Sequence, residues 1–254
     1  MLKLGLQTYT VREEMDNDLV KTLRKIRQIG YDGVELCSFY GHSGEELRQI
    51  VEAEELELIS VSFQIQDVIH DCKREMRQIA QTGAPYAVIP YMLPEKRYGQ
   101  PEWEQTLADI RTISKECAKN GVQLLYHNHD FEFHKQDGIY DYDRLLQAFQ
   151  PEELMAELDV CWLSVSGLSP VKQLRKLSRR VPLVHVKDYE GRPDFDTFHF
   201  CAVGNGVIEF SSVIKAAHMA GAEWIIVEQD QPEDGKTPFE CVQMSYDYLK
   251  KTAF

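Results

Sequence analysis

Eight short apolar runs alternate with eight longer amphipathic stretches along the whole chain. The runs are residues 2–7, 33–36, 57–62, 86–91, 122–127, 154–159, 182–187 and 223–229. Their length and apolar character predict strands. The stretches between them predict helices near 16–29, 43–54, 68–82, 101–119, 141–149, 168–179, 209–219 and 238–251. Glycines in IGYDG, TGAPY, KNGVQ and MAGAEW stand where a helix ends before a strand. Strict alternation implies a parallel sheet. Eight units in 254 residues predict an α/β chain forming a single closed (β/α)8 barrel over 1–254. An open doubly wound sheet would want a glycine-rich phosphate turn after the first strand, and LQTYTVRE has no glycine.

In such a barrel the C-terminal strand ends carry the chemistry. Period-two alternation turns Glu35, Glu157, Asp159, His185, Lys187 and Glu228 inward, with Gln7 and Tyr9 at the end of the first strand. LLYHNHDFEF (124–133) adds His127 and His129, which share a face if the strand continues. Four separate strand ends thus supply metal-ligand types: His127, Asp159, His185 and Glu228. A mixed nitrogen and oxygen set suits Mn²⁺, Co²⁺, Zn²⁺ or Fe²⁺ better than Ca²⁺. Any one of these residues alone reads as a hydrogen-bonded core group. The four together read as a metal site, because a cation settles several buried carboxylates at once. Glu157 lies one step deeper than Asp159, which predicts a supporting hydrogen-bonding role.

The stretches LGLQTYTVRE, GYDGVEL, YHNHDFEF, ELDVCW, VHVKD, VGNGVIEF and VEQD together resemble the xylose-isomerase-like TIM-barrel superfamily, among its sugar phosphate isomerases/epimerases. The resemblance covers nearly the whole chain. It implies a divalent ion held by Glu on strand 5, Asp on strand 6, His on strand 7 and Glu on strand 8. The last three fall on Asp159, His185 and Glu228. The first falls on His127, a departure, and Trp162 stands where relatives often carry His. Epimerases of the superfamily use the two glutamates as proton carriers, and here only Glu228 remains of that pair. His129 or Glu132 would have to take over the missing role. These departures are similar to inosose dehydratases and to lyases acting on keto-sugar glycosides, which share a histidine-rich strand 5.

The resulting expectation is a metal-dependent sugar isomerase or epimerase that removes a proton next to a carbonyl. A dehydratase or lyase acting on a keto-inositol or keto-glycoside is the alternative, and a non-catalytic sugar-binding barrel a further one. One divalent ion is expected, Mn²⁺ first, with Co²⁺, Zn²⁺, Mg²⁺ or Fe²⁺ as alternatives. Glu228 or a histidine of the 127/129 pair would take the proton, and Lys187 would steady the enediolate oxygen. Gln7, Tyr9, Glu35, Glu132, Trp162 and Lys187 are the candidate substrate contacts. Each also has a plain structural reading as a hydrogen-bonding or packing residue. VGNGV (203–207) reads as a turn and helix entry rather than a phosphate loop. Loops 92–103 and 189–206 are long enough to cover the mouth.

Charge narrows the partners. A net charge of −13 repels phosphate backbones and anionic membranes. This argues against an abasic-site nuclease, although a DNA-repair branch shares the barrel. A small carbohydrate is the expected partner, with no nucleic acid and no membrane, and a homo-oligomer remains compatible. Six cysteines stand without a CxxC pair, as in reducing compartments. The first ten residues are too short and polar for a secretory signal. A cytoplasmic location is the expectation.

Overall fold

The structure, a computed structural model, describes residues 2–192 and 198–252. Eight parallel strands close into one barrel: β1 (Lys3–Gln7), β2 (Gly33–Leu36), β3 (Glu57–Ser62), β4 (Tyr86–Ile89), β5 (Gln123–His127), β6 (Met155–Asp159), β7 (Leu183–Val186) and β8 (Trp224–Val227). The helices packed outside are α1 (Leu19–Ile29), α2 (Gly44–Ala53), α3 (Cys72–Gln81), α4 (Trp103–Lys119), α5 (Asp141–Gln147), α6 (Pro170–Lys176), α7 (Phe210–Ala220) and α8 (Pro238–Thr252). The predicted (β/α)8 barrel is therefore the observed one. Among the described residues, no helix is long and apolar enough to cross a membrane.

Alternation along each strand builds two cores. Trp224 and Ile226 of β8 point into the barrel, where they meet Ile59, Tyr86, Val88, Leu125 and Leu183. Ile225 and Val227 point outward into the larger layer under the helices. Each fully buried aliphatic side chain contributes roughly 1.5–3 kcal/mol. The register matters for function. Gln7 pairs with Glu35, His127 with Glu157, and Asp159 with His185. The polar residues therefore ring the top of the barrel, above an apolar plug.

Several element ends differ from expectation. β4 stops at Ile89, because Pro90 has no N–H to give the ladder. β8 stops at Val227, so Glu228 stands just past the strand, its N–H still donating to Val186 O at 3.2 Å. The predicted 68–82 helix opens with a 3-10 turn, Ile69–Asp71. The predicted 168–179 helix closes early, and Arg179 beyond it adopts φ 66°. Short helices at Arg12–Asn17, Ile65–Val68 and Val160–Val165 were not foreseen. Nor was the hairpin of Lys135–Gln136 with Ile139–Tyr140. The loop after β7 forms a hairpin, Asp188–Glu190 with His199–Cys201. Residues 193–197 of that predicted lid lie outside the described residues.

Candidate metal centre and active site

His127 ends β5, and its Nδ1 lies 3.3 Å from Pro90 O. A carbonyl only accepts, so Nδ1 donates there and Nε2 is turned toward Asp159 Oδ2 at 3.5 Å and Glu228 Oε2 at 3.8 Å. That Nε2 is buried without a hydrogen-bond partner. Asp159 ends β6 and caps Val160–Val165, its Oδ1 accepting from Trp162 N at 2.9 Å. The cap fixes the carboxylate and leaves Oδ2 buried and unpartnered. Asn128 locks the two strand ends together. Its Nδ2 donates to Asp159 O at 3.1 Å, and its Oδ1 accepts from Asp159 N at 3.1 Å.

His185 is held from below and turned toward the mouth. Its Nε2 lies 3.1 Å from Glu35 and 3.3 Å from Glu157. Its Nδ1 lies 3.1 Å from Glu228 Oε2. Buried carboxylates under the far nitrogen orient a ligating imidazole and raise its basicity. One ligand atom from each of His127, Asp159, His185 and Glu228 lies within 4.8 Å of the others. Two imidazoles, two carboxylates and two orphaned buried atoms fit a first-row divalent ion.

Lys187 sits in the same cluster, its Nζ 2.9 Å from Glu228, 3.0 Å from Asp230 and 3.6 Å from Asp159. Burial lowers the Lys187 and His185 pKa values, but the surrounding carboxylates outweigh it and hold both well above their ordinary values. Burial raises Glu228, yet Lys187 and His185 hold it well below the usual carboxylate range. Burial and neighbouring Glu35 push Glu157 well up, so that it keeps its proton. Three ionised carboxylates, Glu35, Asp159 and Glu228, thus face two cations, Lys187 and His185, with Glu157 neutral.

His129 lies past the end of β5, yet its ring stays 5.0 Å from that of His127. Phe131 stacks on it at 5.6 Å and 12°, Trp162 lies at 5.4 Å, and Tyr91 meets it edge-on at 5.2 Å. Arg97 backs this wall, its guanidinium 3.4 Å from the Phe131 ring centroid. Burial, with His127 and Lys187 nearby, pushes the His129 pKa down to about 3. The imidazole is therefore neutral at ordinary pH, and its surroundings oppose the protonated form.

The other candidates separate. Gln7 donates to Glu35 and accepts from Tyr9 N at 3.0 Å. Ser60 also donates to Glu35. Gln7, Glu35 and exposed Tyr9 line the mouth cavity. Glu132 does not; it is buried beneath the β5 loop, taking bonds from Tyr126 Oη at 2.5 Å and His129 N at 2.8 Å. Trp162 stands between His129 and Lys187, whose Nζ lies 5.4 Å from its ring. The VGNGV turn is a helix entry, as read. Asp188 accepts from Gly204 N at 3.0 Å, Gly206 N at 2.9 Å and Ile208 N at 3.2 Å. Sequence reasoning missed Asn128 and Asp230. Both lay inside motifs already quoted, one between two histidines and one two residues past Glu228.

The family description "Xylose isomerase-like TIM barrel" matches residues 23–250. The chain belongs to that family. The inosose dehydratase of Geobacillus kaustophilus is 23% identical to it, over 91% of this chain and 86% of its own. A sugar phosphate isomerase/epimerase structure from Parabacteroides distasonis superposes with a TM-score of 0.84 at 23% identity, covering 99% of both chains. The IOLI protein, solved with a binding zinc atom, gives 0.77 at 16% identity over 99% of this chain and 98% of its own.

Proposed function

We propose that this chain is a divalent-metal-dependent lyase that removes water from a keto-cyclitol or related keto-sugar. The alignment with inosose dehydratases supports this reading over most of both chains. The single observation that carries it is the asymmetry of proton carriers. The strand-5 position holds His127 instead of a carboxylate, and the neutral His129 stands on the same wall as Trp162 and Lys187. A syn loss of water can be served from one side of the substrate, by a single group that accepts the proton and then returns it. Epimerisation needs carriers on opposite sides.

His127, Asp159, His185 and Glu228 would hold the ion, Mn²⁺ or one of Co²⁺, Zn²⁺, Mg²⁺ and Fe²⁺. Bound there, it would supply Lewis acidity to the substrate carbonyl. His129 takes the proton from the carbon next to the carbonyl, and the C–H pair passes into an enolate. The Lys187 ammonium steadies the enolate oxygen. As the pair returns to form C=C, the neighbouring C–O bond breaks and the departing hydroxide takes the proton held by His129, leaving as water and restoring the neutral imidazole. Tyr9 and Gln7, which line the cavity, would contact the ring.

The isomerase or epimerase reading shares the first step and needs Glu228 as second carrier. Glu228 is the one ligand carboxylate lining the cavity, which favours keeping that reading in the test. Keto-inositol and keto-sugars are incubated in D₂O with each metal. The expected result is loss of water with enone absorbance. The expected loss on His129→Ala is about 10²–10⁴-fold. A stereoisomer or ketose formed without loss of water would replace this proposal with the isomerase reading. Sugar binding without exchange under any metal would make the chain a binding barrel.

A further inference from the structure

No hydrogen bond orients the His129 ring from its buried side. Its Nδ1 is buried without a hydrogen-bond partner among the described residues. A histidine that moves protons is ordinarily oriented by a third group bonded to it. Here that task falls to ring packing. Phe131 lies nearly parallel to the imidazole, and Tyr91 meets both rings edge-on, at 5.2 Å from His129 and 5.3 Å from Phe131.

Two anchors fix Phe131. The first is Arg97, over its ring. Arg97 is itself held, donating from Nε to Met92 O at 3.0 Å and from Nη2 to Tyr91 Oη at 2.7 Å. The second is Glu132, whose two oxygens reach different parts of the loop. Oε1 accepts from Tyr126 Oη at 2.5 Å, and Oε2 accepts from His129 N at 2.8 Å. Tyr126 belongs to β5 and is fully buried. One carboxylate therefore ties the turn back onto the strand it leaves. Phe131 and Glu132 share the 3-10 turn Phe131–Phe133. Seating Glu132 under the loop thus seats Phe131 against the imidazole. Glu132 and Phe131 line a small cavity beneath the loop, apart from the mouth.

We propose that Glu132 is a positioning residue for His129, acting through the His129 amide and the Phe131 ring and never by touching substrate. This rests on the reading that His129 moves the proton. The clamp needs hydrogen bonds at two places, not a charge. A protonated carboxyl can donate to Tyr126 Oη and still accept from His129 N, and so can a glutamine amide. Alanine can do neither. Misplacing a catalytic group by about 1 Å costs on the order of 10²-fold.

The Mn²⁺-loaded protein and its variants are assayed for loss of water from keto-inositol. Glu132→Ala and Phe131→Leu should each lower kcat about 10–100-fold, with KM and metal content unchanged. Glu132→Gln should restore kcat to within about threefold of wild type. Added to His129→Ala, Glu132→Ala should cost nothing further, because its effect runs through that ring. Proton NMR of the Zn²⁺-loaded proteins reads the ring without turnover. The His129 ring protons, assigned by their absence in His129→Ala, should carry ring-current shifts that Glu132→Ala removes and Glu132→Gln keeps. Full kcat in Glu132→Ala, additive losses in the double variant, or unmoved ring protons in Glu132→Ala would overturn the proposal. So would a Glu132→Gln protein as slow as Glu132→Ala. If Glu132→Ala does not fold, Phe131→Leu replaces it, and full kcat there overturns the clamp. If wild type turns over no keto-inositol, the proposed reaction fails, and the ring protons alone judge the positioning.

Discussion

At the scale of single residues, the geometry assigns different duties to neighbours in one short stretch. His127 offers an unpartnered Nε2, whereas His129 sits in an aromatic sandwich beside it. His127→Glu should therefore still bind the ion, and His127→Ala should bind it more weakly; dialysis with elemental analysis reads both. Equal metal content in wild type and His127→Ala would remove His127 from the ligand set. Glu132 gives a different signal. Burial pushes its carboxyl up to about 7 from the ordinary 4.5, against the bonds it takes from Tyr126 and the His129 amide. The unfolded carboxyl ionises near 4.5 and the folded one near 7. That contribution to stability is complete below 4.5, declines as pH rises, and is gone above 7. The loss amounts to about 3 kcal/mol. Glu132→Gln should flatten this slope in urea titrations across that range; an unchanged slope would place the titration elsewhere.

At the scale of elements, strand ends and turns decide where those residues stand. Asn128→Ala leaves Asp159 N and O without their buried partners. The expected cost is on the order of 2–4 kcal/mol, with metal affinity falling because Asp159 loses its anchor. Urea midpoints and metal content should therefore fall together. At Gly206 a Cβ would lie 2.3 Å from both Asp188 Oδ1 and Tyr189 O. Gly206→Ala should cost about 1–3 kcal/mol, read as a lower melting temperature; no change would mean the turn relaxes freely. The barrel strands were legible because period-two alternation and helix-ending glycines are local signals. So were Asp159, His185 and Glu228, each at a strand end. His129 came to the site for a reason the pattern did not contain. The strand ends at His127, and stacking on Phe131 and Trp162, not strand phase, holds the ring at the mouth. Glu132 looked equally available in sequence, yet the 3-10 turn Phe131–Phe133 turns it under the loop. The β5 hairpin and the cavity's reach over β1–β4 depend on long-range packing, which no local spacing records.

At the scale of the molecule, the barrel concentrates charge that a folded chain otherwise avoids. Asp159, Glu228 and Glu35 are buried together, three carboxylates only partly offset by the ammonium of Lys187 and by His185. Burying ions in this way is weak support for stability unless the geometry is fully satisfied. Within the four-residue ligand set, His127 Nε2 and Asp159 Oδ2 have no hydrogen-bond partner. An ion that joins them binds the folded chain and not the unfolded one, so it must raise stability by mass action. At a hundred times its dissociation constant the gain is about 2.7 kcal/mol. For a chain of this size that moves the melting temperature by roughly 5–10 °C. Calorimetric melting after chelation and after addition of Mn²⁺, Co²⁺, Zn²⁺, Mg²⁺ or Fe²⁺ should show this rise for at least one ion, and Asp159→Ala should abolish it. A melting temperature indifferent to all five would mean that Lys187 and His185 are the permanent counter-ions of this cluster. The barrel would then have to do its chemistry with their protons alone.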